Sequence, residues 1–332
     1  MEPAKRTVVI RADGGQAIGL GHVTRCLALA EELIDRGMTV TFLTRTPERP
    51  VLERMQRARC GVERLDGSEE PSALGGRAAF VVVDLYGVTP AYQEAIRSAG
   101  ARLLLIDDVG RSPVVADLLL NQNLGVEAAT YSVAPHTRVL LGPRYALLRR
   151  AFRGATASPA VPIRLLVTMG GSDPHNATTR VVEALEDVRG EFALDVVVGP
   201  SFVHDAALAA AAGRASHAVA IHRDPPDLAA LMGRATLAVS AAGSTCWELA
   251  HLGVPAVVLV LADNQAGVAA GLAAAGLAVS VGPVTPFPAG PLAARVEALL
   301  ADAEARRRMA AAGRTLVDGR GAARVAEALC PA

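Results

Sequence analysis

Val8-Val9-Ile10-Arg11-Ala12-Asp13, followed by Gly19-Leu20-Gly21-His22 and an amphipathic run to Arg36-Gly37, reads as a buried strand, a glycine-rich loop and a helix. Such a loop gathers backbone N–H groups at a helix N-terminus, where a phosphate is readily held. His22 stands at the mouth of that helix, and imidazole, with an unperturbed pKa of about 6.5, suits proton transfer near neutral pH. Arg11, Asp13, Gly19 and Gly21 surround it as candidate substrate- or nucleotide-binding residues.

The same rhythm continues outward. Strands are predicted at 7–12, 38–44, 79–84, 102–106, 117–120 and 138–141, with helices at 22–37, 49–59 and 90–99. Small residues and two prolines at 153–162 predict a linker between a domain at 1–152 and a second at 163–332. The second half predicts strands at 163–168, 193–198, 218–221, 236–239, 255–260 and 277–281. Its helices are predicted at 175–188, 203–213, 226–233, 244–252, 264–275, 288–301, 302–315 and 320–329. Short β-rich runs alternating with helical patterns predict an α/β fold: two doubly wound Rossmann-like domains facing across a cleft, with ligands at the carboxyl ends of the strands.

Composition narrows the partners. The 332 residues, 51% hydrophobic and 20% charged, suffice for two cores and argue against extensive disorder. Basic and acidic residues balance at 33 each, so no polybasic field marks a nucleic acid or an anionic membrane. Aromatics at 3% leave few platforms for stacking bases. The four cysteines, Cys26, Cys60, Cys246 and Cys330, form no CxxC pair, which suggests reduced thiols in a cytoplasmic protein. Met1 to Arg6 lead into a strand without a signal-peptide core, and the apolar run Val254 to Ala262 is too short for a membrane span. A monomer or weak oligomer is expected.

Three further segments carry candidate chemistry. Met169-Gly170-Gly171-Ser172-Asp173 follows a strand and opens a helix; its glycines either admit a phosphate or merely adopt positive φ, and Ser172 or Asp173 can cap. In Ala242-Gly243-Ser244-Thr245-Cys246-Trp247-Glu248, Ser244 can cap a helix while the N–H groups of Gly243, Ser244 and Thr245 face a diphosphate. Glu248 then either accepts from ribose hydroxyls or closes a capping box. Trp247 reads as a core anchor. In Ala262-Asp263-Asn264-Gln265, Asp263 reads as an N-cap, and Asn264 and Gln265 offer neutral amides to a sugar or a water. Tyr86, at a strand's carboxyl end, either faces the ligand or packs. His175, His204, His217, His222 and His251 read as structural or solvated residues at helix starts or on the surface. There is no P-loop, no GxSxG elbow and no Asp-x-Asp after a strand, so no cofactor and no metal ion is expected.

Taken in order, Ile10 to Asp13, Ile18 to Leu27, Val83 to Gly87, Ile106-Asp107-Asp108, Leu119 to Asn123, Gly142 to Arg149 and the three segments above resemble the pseudaminic-acid-pathway UDP-sugar hydrolases, a family that includes spore-coat polysaccharide proteins. The resemblance runs from the first strand to at least residue 285 and implies the glycosyltransferase-B type of fold. It implies release of UDP from a 2,4-diacetamido-2,4,6-trideoxy sugar by inverting, metal-independent attack of water at the anomeric carbon. His22 falls on the family's base, Tyr86 and Asn264 on active-site positions, Glu248 on the ribose carboxylate. Gly170, Gly171, Gly243, Ser244 and Thr245 fall on the nucleotide loops. Leu85 departs from the pattern, since many relatives carry histidine there. An inverting glycosyltransferase and a non-catalytic nucleotide-sugar binder are the rival expectations.

Overall fold

A computed structural model describes residues 7–15, 19–45, 48–66, 70–110 and 112–331. Ile18, and the run Met1 to Arg6 on which the expectation of no leader rests, lie outside the described residues. The chain divides into two compact units, Met1–Arg150 with Gly319–Ala332, and Ala151–Asp318.

The first unit runs β1 (Thr7–Ala12), α1 (Gly21–Asp35), β2 (Thr39–Thr44), α2 (Arg49–Arg57), β3 (Gly61–Arg64), α3 (Pro71–Arg77), β4 (Phe80–Asp84), α4 (Pro90–Ser98), β5 (Arg102–Ile106), β6 (Leu118–Asn121) and β7 (Arg138–Leu141). Its strands form one parallel sheet in the order β3-β2-β1-β4-β5-β6-β7. A parallel sheet is covered on both faces, and alternate residues divide accordingly. Val8, Ile10, Leu104 and Ile106 enter one core with α1, while Val9, Leu103 and Leu105 enter the other. The strand order reverses between β1 and β4, and the crevice at their carboxyl ends is where such a sheet takes a ligand.

The second unit runs β8 (Arg164–Thr168), α5 (Ala177–Ala184), β9 (Ala193–Val198), α6 (Asp205–Arg214), β10 (Ala218–Arg223), α7 (Leu228–Gly233), β11 (Leu237–Ala241), α8 (Thr245–Leu252), β12 (Ala256–Val260), α9 (Ala266–Ala274), β13 (Ala278–Pro283), α10 (Ala289–Ala301) and α11 (Ala303–Leu316). Its sheet, β10-β9-β8-β11-β12-β13, is again parallel and reverses between β8 and β11. The fold is therefore α/β, with two doubly wound Rossmann-like units. Trp247 is buried in the second unit, as a core anchor would be.

Two boundaries differ from the sequence expectation. The last helix, α12 (Gly321–Leu329), groups with the first unit rather than the second, because Val325, Ala326 and Leu329 complete the core over α1. The segment expected to be a linker at 153–162 groups with the second unit, where Ser158 N donates to Gly233 O at 2.8 Å and Ala160 N to Arg234 O at 3.0 Å. Two elements of the first unit, β3 and α3, were not expected at all.

Candidate active site

β1 and β4 lie side by side with Ala12 opposite Asp84, so the last residue of β4 sits at the sheet's switch point. Helix α1 starts just beyond β1, with no side-chain cap on its first turn, and brings His22, Arg25 and Cys26 to the same place. Residues three and four apart share a helix face, and all three side chains meet Asp84. His22 Nδ1 lies 2.5 Å from Asp84 Oδ1; Arg25 donates from Nε to Oδ2 and from Nη2 to Oδ1, each at 2.6 Å. Cys26 Sγ adds a weak contact at 3.4 Å. Arg25 also donates from Nη1 to Asp108 Oδ2 at 2.5 Å, and Asn123 Nδ2 donates to the other oxygen of Asp108 at 3.1 Å.

The electrostatics follow from this packing. Burial pushes the Asp84 carboxyl up, but the Arg25 cation and the His22 ring outweigh it and hold Asp84 well below the usual carboxylate range. Burial pushes the Cys26 thiol far up, and Asp84 pushes it further. An ionised carboxylate only accepts, so Nδ1 of His22 carries a proton, and in the neutral ring the lone pair is on Nε2. Nε2 makes no hydrogen bond among the described residues. A cavity of about 380 Å³ opens here, lined by His22, Asp84, Leu85, Tyr86 and Arg45. The Tyr86 ring meets His22 edge-on, centroids 4.8 Å apart, and is 53% exposed, so it faces the cavity rather than packing away.

Arg11 and Asp13, expected to bind ligand, brace the strand ends. Arg11 is 1% exposed and pairs with Asp13 at 2.7 Å. Asp13 in turn accepts from Arg45 N at 2.8 Å and from Thr44 Oγ1 at 3.2 Å, tying β1 to the end of β2. Both still line the cavity. Gly19, at φ +77°, exchanges backbone hydrogen bonds with Gly15 and closes the loop before Gly21 opens α1.

In the second unit, Met169, Gly170 and Gly171 follow β8 and lead to Asp173, which caps α5 by accepting from Ala177 N at 2.8 Å and Thr178 N at 2.7 Å. Those two amides are therefore satisfied by a side chain, and Ser172 is buried beside them. A Cβ on Gly199 would sit 2.3 Å from Gly171 O, so the loop after β9 presses its backbone on the Gly170-Gly171 turn; sequence reading had missed Gly199.

The loop after β11 corrects one expectation. Ser244 is already helical at φ −59° and ψ −26°, so its hydroxyl makes no cap hydrogen bond, and Gly243 N is bound to Ala241 O at 2.8 Å. Of the three amides, those of Ser244 and Thr245 have no backbone acceptor among the described residues. Glu248 is buried, 5% exposed, on the first turn of α8. Asp263 provides no cap either: the turn Asp263–Gln265 and α9 both begin without a side-chain cap. Gln265 folds back, accepting from Leu261 N at 2.9 Å, and holds Nε2 3.9 Å from where a Cβ on Gly243 would lie. Asn264 is exposed beside it. His222 lies inside β10, not at a helix start, with Nε2 2.8 Å from Asp195.

Asp84, Arg25 and Asp108 were not singled out as site residues. The sequence signal is His22 and Arg25, three apart on one helix; that Asp84 is their partner shows only in the register of β1 against β4.

No family model matches the chain. It is similar to the spore coat polysaccharide biosynthesis protein SpsG of Bacillus subtilis, 27% identical over 327 residues, 96% of both chains. An uncharacterized protein of Methanocaldococcus jannaschii is 28% identical over 78% of this chain, which spans 56% of that protein's length. The UDP-2,4-diacetamido-2,4,6-trideoxy-beta-L-altropyranose hydrolase of Campylobacter jejuni is 26% identical over 54% of this chain and 65% of its own. Among solved structures, Acinetobacter baumannii MurG superposes with a TM-score of 0.69 at 17% identity, covering 98% of this chain and 99% of MurG. Anabaena HepE, solved with UDP-glucose, gives 0.64 at 12% identity over 97% and 98%. These superpositions establish the glycosyltransferase-B type of fold. No helix among the described residues is long and apolar enough to cross a membrane.

Proposed function

We propose that the protein is a nucleotide-sugar hydrolase, cleaving the anomeric C–O bond of a UDP-linked amino or deoxy sugar by inverting attack of water, with no metal taking part. The observation that carries the reading is the His22–Asp84 pair at the sheet's switch point, beside a cavity of about 380 Å³. Asp84 holds the imidazole in the tautomer whose Nε2 accepts a proton, and stabilises the imidazolium that results. Water oxygen bonds to the anomeric carbon, its proton passes to His22 Nε2, and the electrons of the breaking C–O bond leave with the diphosphate. UDP departs as a stable anion and needs little protonation. The loops at Gly170-Gly171 and Gly243-Ser244-Thr245 bind the nucleotide, the Ser244 and Thr245 amides meeting the diphosphate charge. Glu248 takes the ribose hydroxyls, while Tyr86, Asn264 and Gln265 position sugar or water. Similarity to the Campylobacter hydrolase supports water as the nucleophile, and HepE, solved with UDP-glucose, supports UDP as the carrier.

Replacing a general base costs about 10²–10⁴ in rate. His22→Asn is therefore expected to lose turnover of UDP-sugars on that scale while binding UDP as the wild type does. Unchanged turnover would remove His22 from the chemistry.

Glycosyl transfer is the second reading, favoured by the MurG-like fold. The same base would then deprotonate a sugar hydroxyl instead of water. Incubation of a UDP-sugar panel without acceptor separates the two: stoichiometric UDP and free sugar mean hydrolysis, and release only on adding an acceptor means transfer.

A further inference from the structure

The first unit has a second pocket, of about 340 Å³, that shares no residue with the one beside His22. It lies beside β7, the edge strand, three strands from β4 in the sheet. Its walls bring together Arg138 at the start of β7, Arg144 and Tyr145 in the turn after it, and Arg320, Arg324 and Glu327 of α12 and its approach. Four arginines and one glutamate thus line the pocket, in a chain whose overall charge is zero.

The arrangement is fixed by backbone contacts. A Cβ on Gly321 would lie 2.1 Å from Ala146 O, so α12 begins pressed against the turn that carries Arg144. Arg324 Nη1 donates to Arg144 O at 2.8 Å, and the Arg144 guanidinium lies 5.2 Å from the Tyr145 ring centroid. Arg25, Arg97, Arg150 and Arg164 each meet a carboxylate, whereas Arg138 and Arg144 form no ion pair among the described residues.

We infer that this pocket is a binding site for a small soluble anion bearing phosphoryl groups, separate from the nucleotide loops. Guanidinium forks match phosphoryl oxygens in planar, two-toothed geometry, and four of them suit a diphosphate better than a singly charged anion. All of these residues belong to the first unit, and they bring its segment before Arg150 together with its segment after Gly319. A lipid headgroup carries the same phosphoryl chemistry. A membrane site, however, normally adds exposed apolar anchors, and the exposed large hydrophobic side chains (Tyr86, Val161, Ile163, Val203, Ile221) all lie outside this pocket.

The test is calorimetric titration of the whole protein with inorganic pyrophosphate at low ionic strength, with and without saturating UDP. The wild type binds pyrophosphate in both conditions. The double variant Arg138→Gln/Arg144→Gln loses roughly tenfold or more in affinity for the event that persists with UDP present. Glu327→Gln removes the opposing carboxylate and tightens that event, a gain that misfolding cannot produce. Equal affinity in wild type and double variant, or no pyrophosphate binding by the wild type, overturns the site. Binding to phosphatidylglycerol vesicles but not to pyrophosphate, lost in the double variant, overturns the soluble ligand in favour of a headgroup. Failure of UDP to bind would count against the nucleotide loops alone, since the arginine-dependent event is read without it.

Discussion

Asp84→Asn perturbs the centre of the network and leaves its shape intact. The carboxylate accepts from His22 Nδ1 at 2.5 Å and from two nitrogens of Arg25 at 2.6 Å, and its side chain is fully buried. An amide keeps one acceptor and turns an NH₂ toward a group that is itself a donor. One oxygen cannot satisfy both neighbours, and Arg25 keeps Asp108 as its remaining anion. Removing one partner of a buried ion pair costs about 3–5 kcal/mol. Retention of one hydrogen bond and of Asp108 places the expected loss near the low end, about 3 kcal/mol. In a domain of this size each kcal/mol moves the melting temperature by about 2–4 °C, so the first unit should melt roughly 6–12 °C lower. Thermal scans of the wild type and variant read this directly. Activity should fall further than stability explains, by about 10²–10⁴ at a temperature where both proteins are folded, because the imidazole loses the partner that fixes its tautomer. UDP affinity, assigned in the proposed function to the loops of the second unit, should not change. A melting temperature within 2 °C of wild type, or full turnover, would refute the claim that Asp84 organises this site.

Other consequences follow from the same geometry. Asp84, and Asp195 in the second unit between Arg164 and His222, are held below the ordinary carboxylate range in the folded state, the attraction of their cations outweighing burial. Their contribution to stability is thus complete above about pH 4, the unfolded value, and is lost as pH falls through the folded values; acid titration of the melting temperature should show the loss on that side. Asp173→Ala removes the cap on α5 and should cost about 1 kcal/mol in denaturant unfolding. Gly199→Ala forces a methyl into the Gly171 backbone and should cost about 1–3 kcal/mol and weaken UDP binding; wild-type affinity would detach that loop from the nucleotide site. Burial pushes Cys60 and Cys246 up to about 12 and Cys330 up to about 11, so a thiol reagent at pH 8 should modify the native protein far more slowly than the unfolded chain.

The alternation of β1, β2, β4, β5 and the six strands of the second unit was legible because each is a short apolar run bounded by turn residues, and parallel strands bury both faces. β3 was not legible: Gly61-Val62-Glu63-Arg64 is an edge strand, mostly exposed, and carries no apolar pattern. α3 hid behind Gly75 and Gly76, poor helix formers. Gly75 is explained only by packing, since a Cβ there would lie 2.2 Å from Ile96 O. The return of α12 to the first unit depends on contacts nearly three hundred residues apart, such as Arg36 to Ala323 O, which no local pattern announces. At the site, His22 and the glycine loops stood out by residue type and spacing. Their partner Asp84, 62 residues away, became visible only through the register of β1 against β4. The caps at Ser244 and Asp263 failed for a local reason: in each case the turn begins one or more residues earlier than the side chain would need.

Hydrolysis of a UDP-sugar in ¹⁸O-labelled water, with the released UDP weighed by mass spectrometry, addresses the chemistry assigned to His22. Attack at the anomeric carbon leaves the bridging oxygen with the nucleotide, so UDP should emerge unlabelled. Labelled UDP would mean that water had attacked phosphorus, and the base, the loops and the reaction built on them would all have to be reassigned.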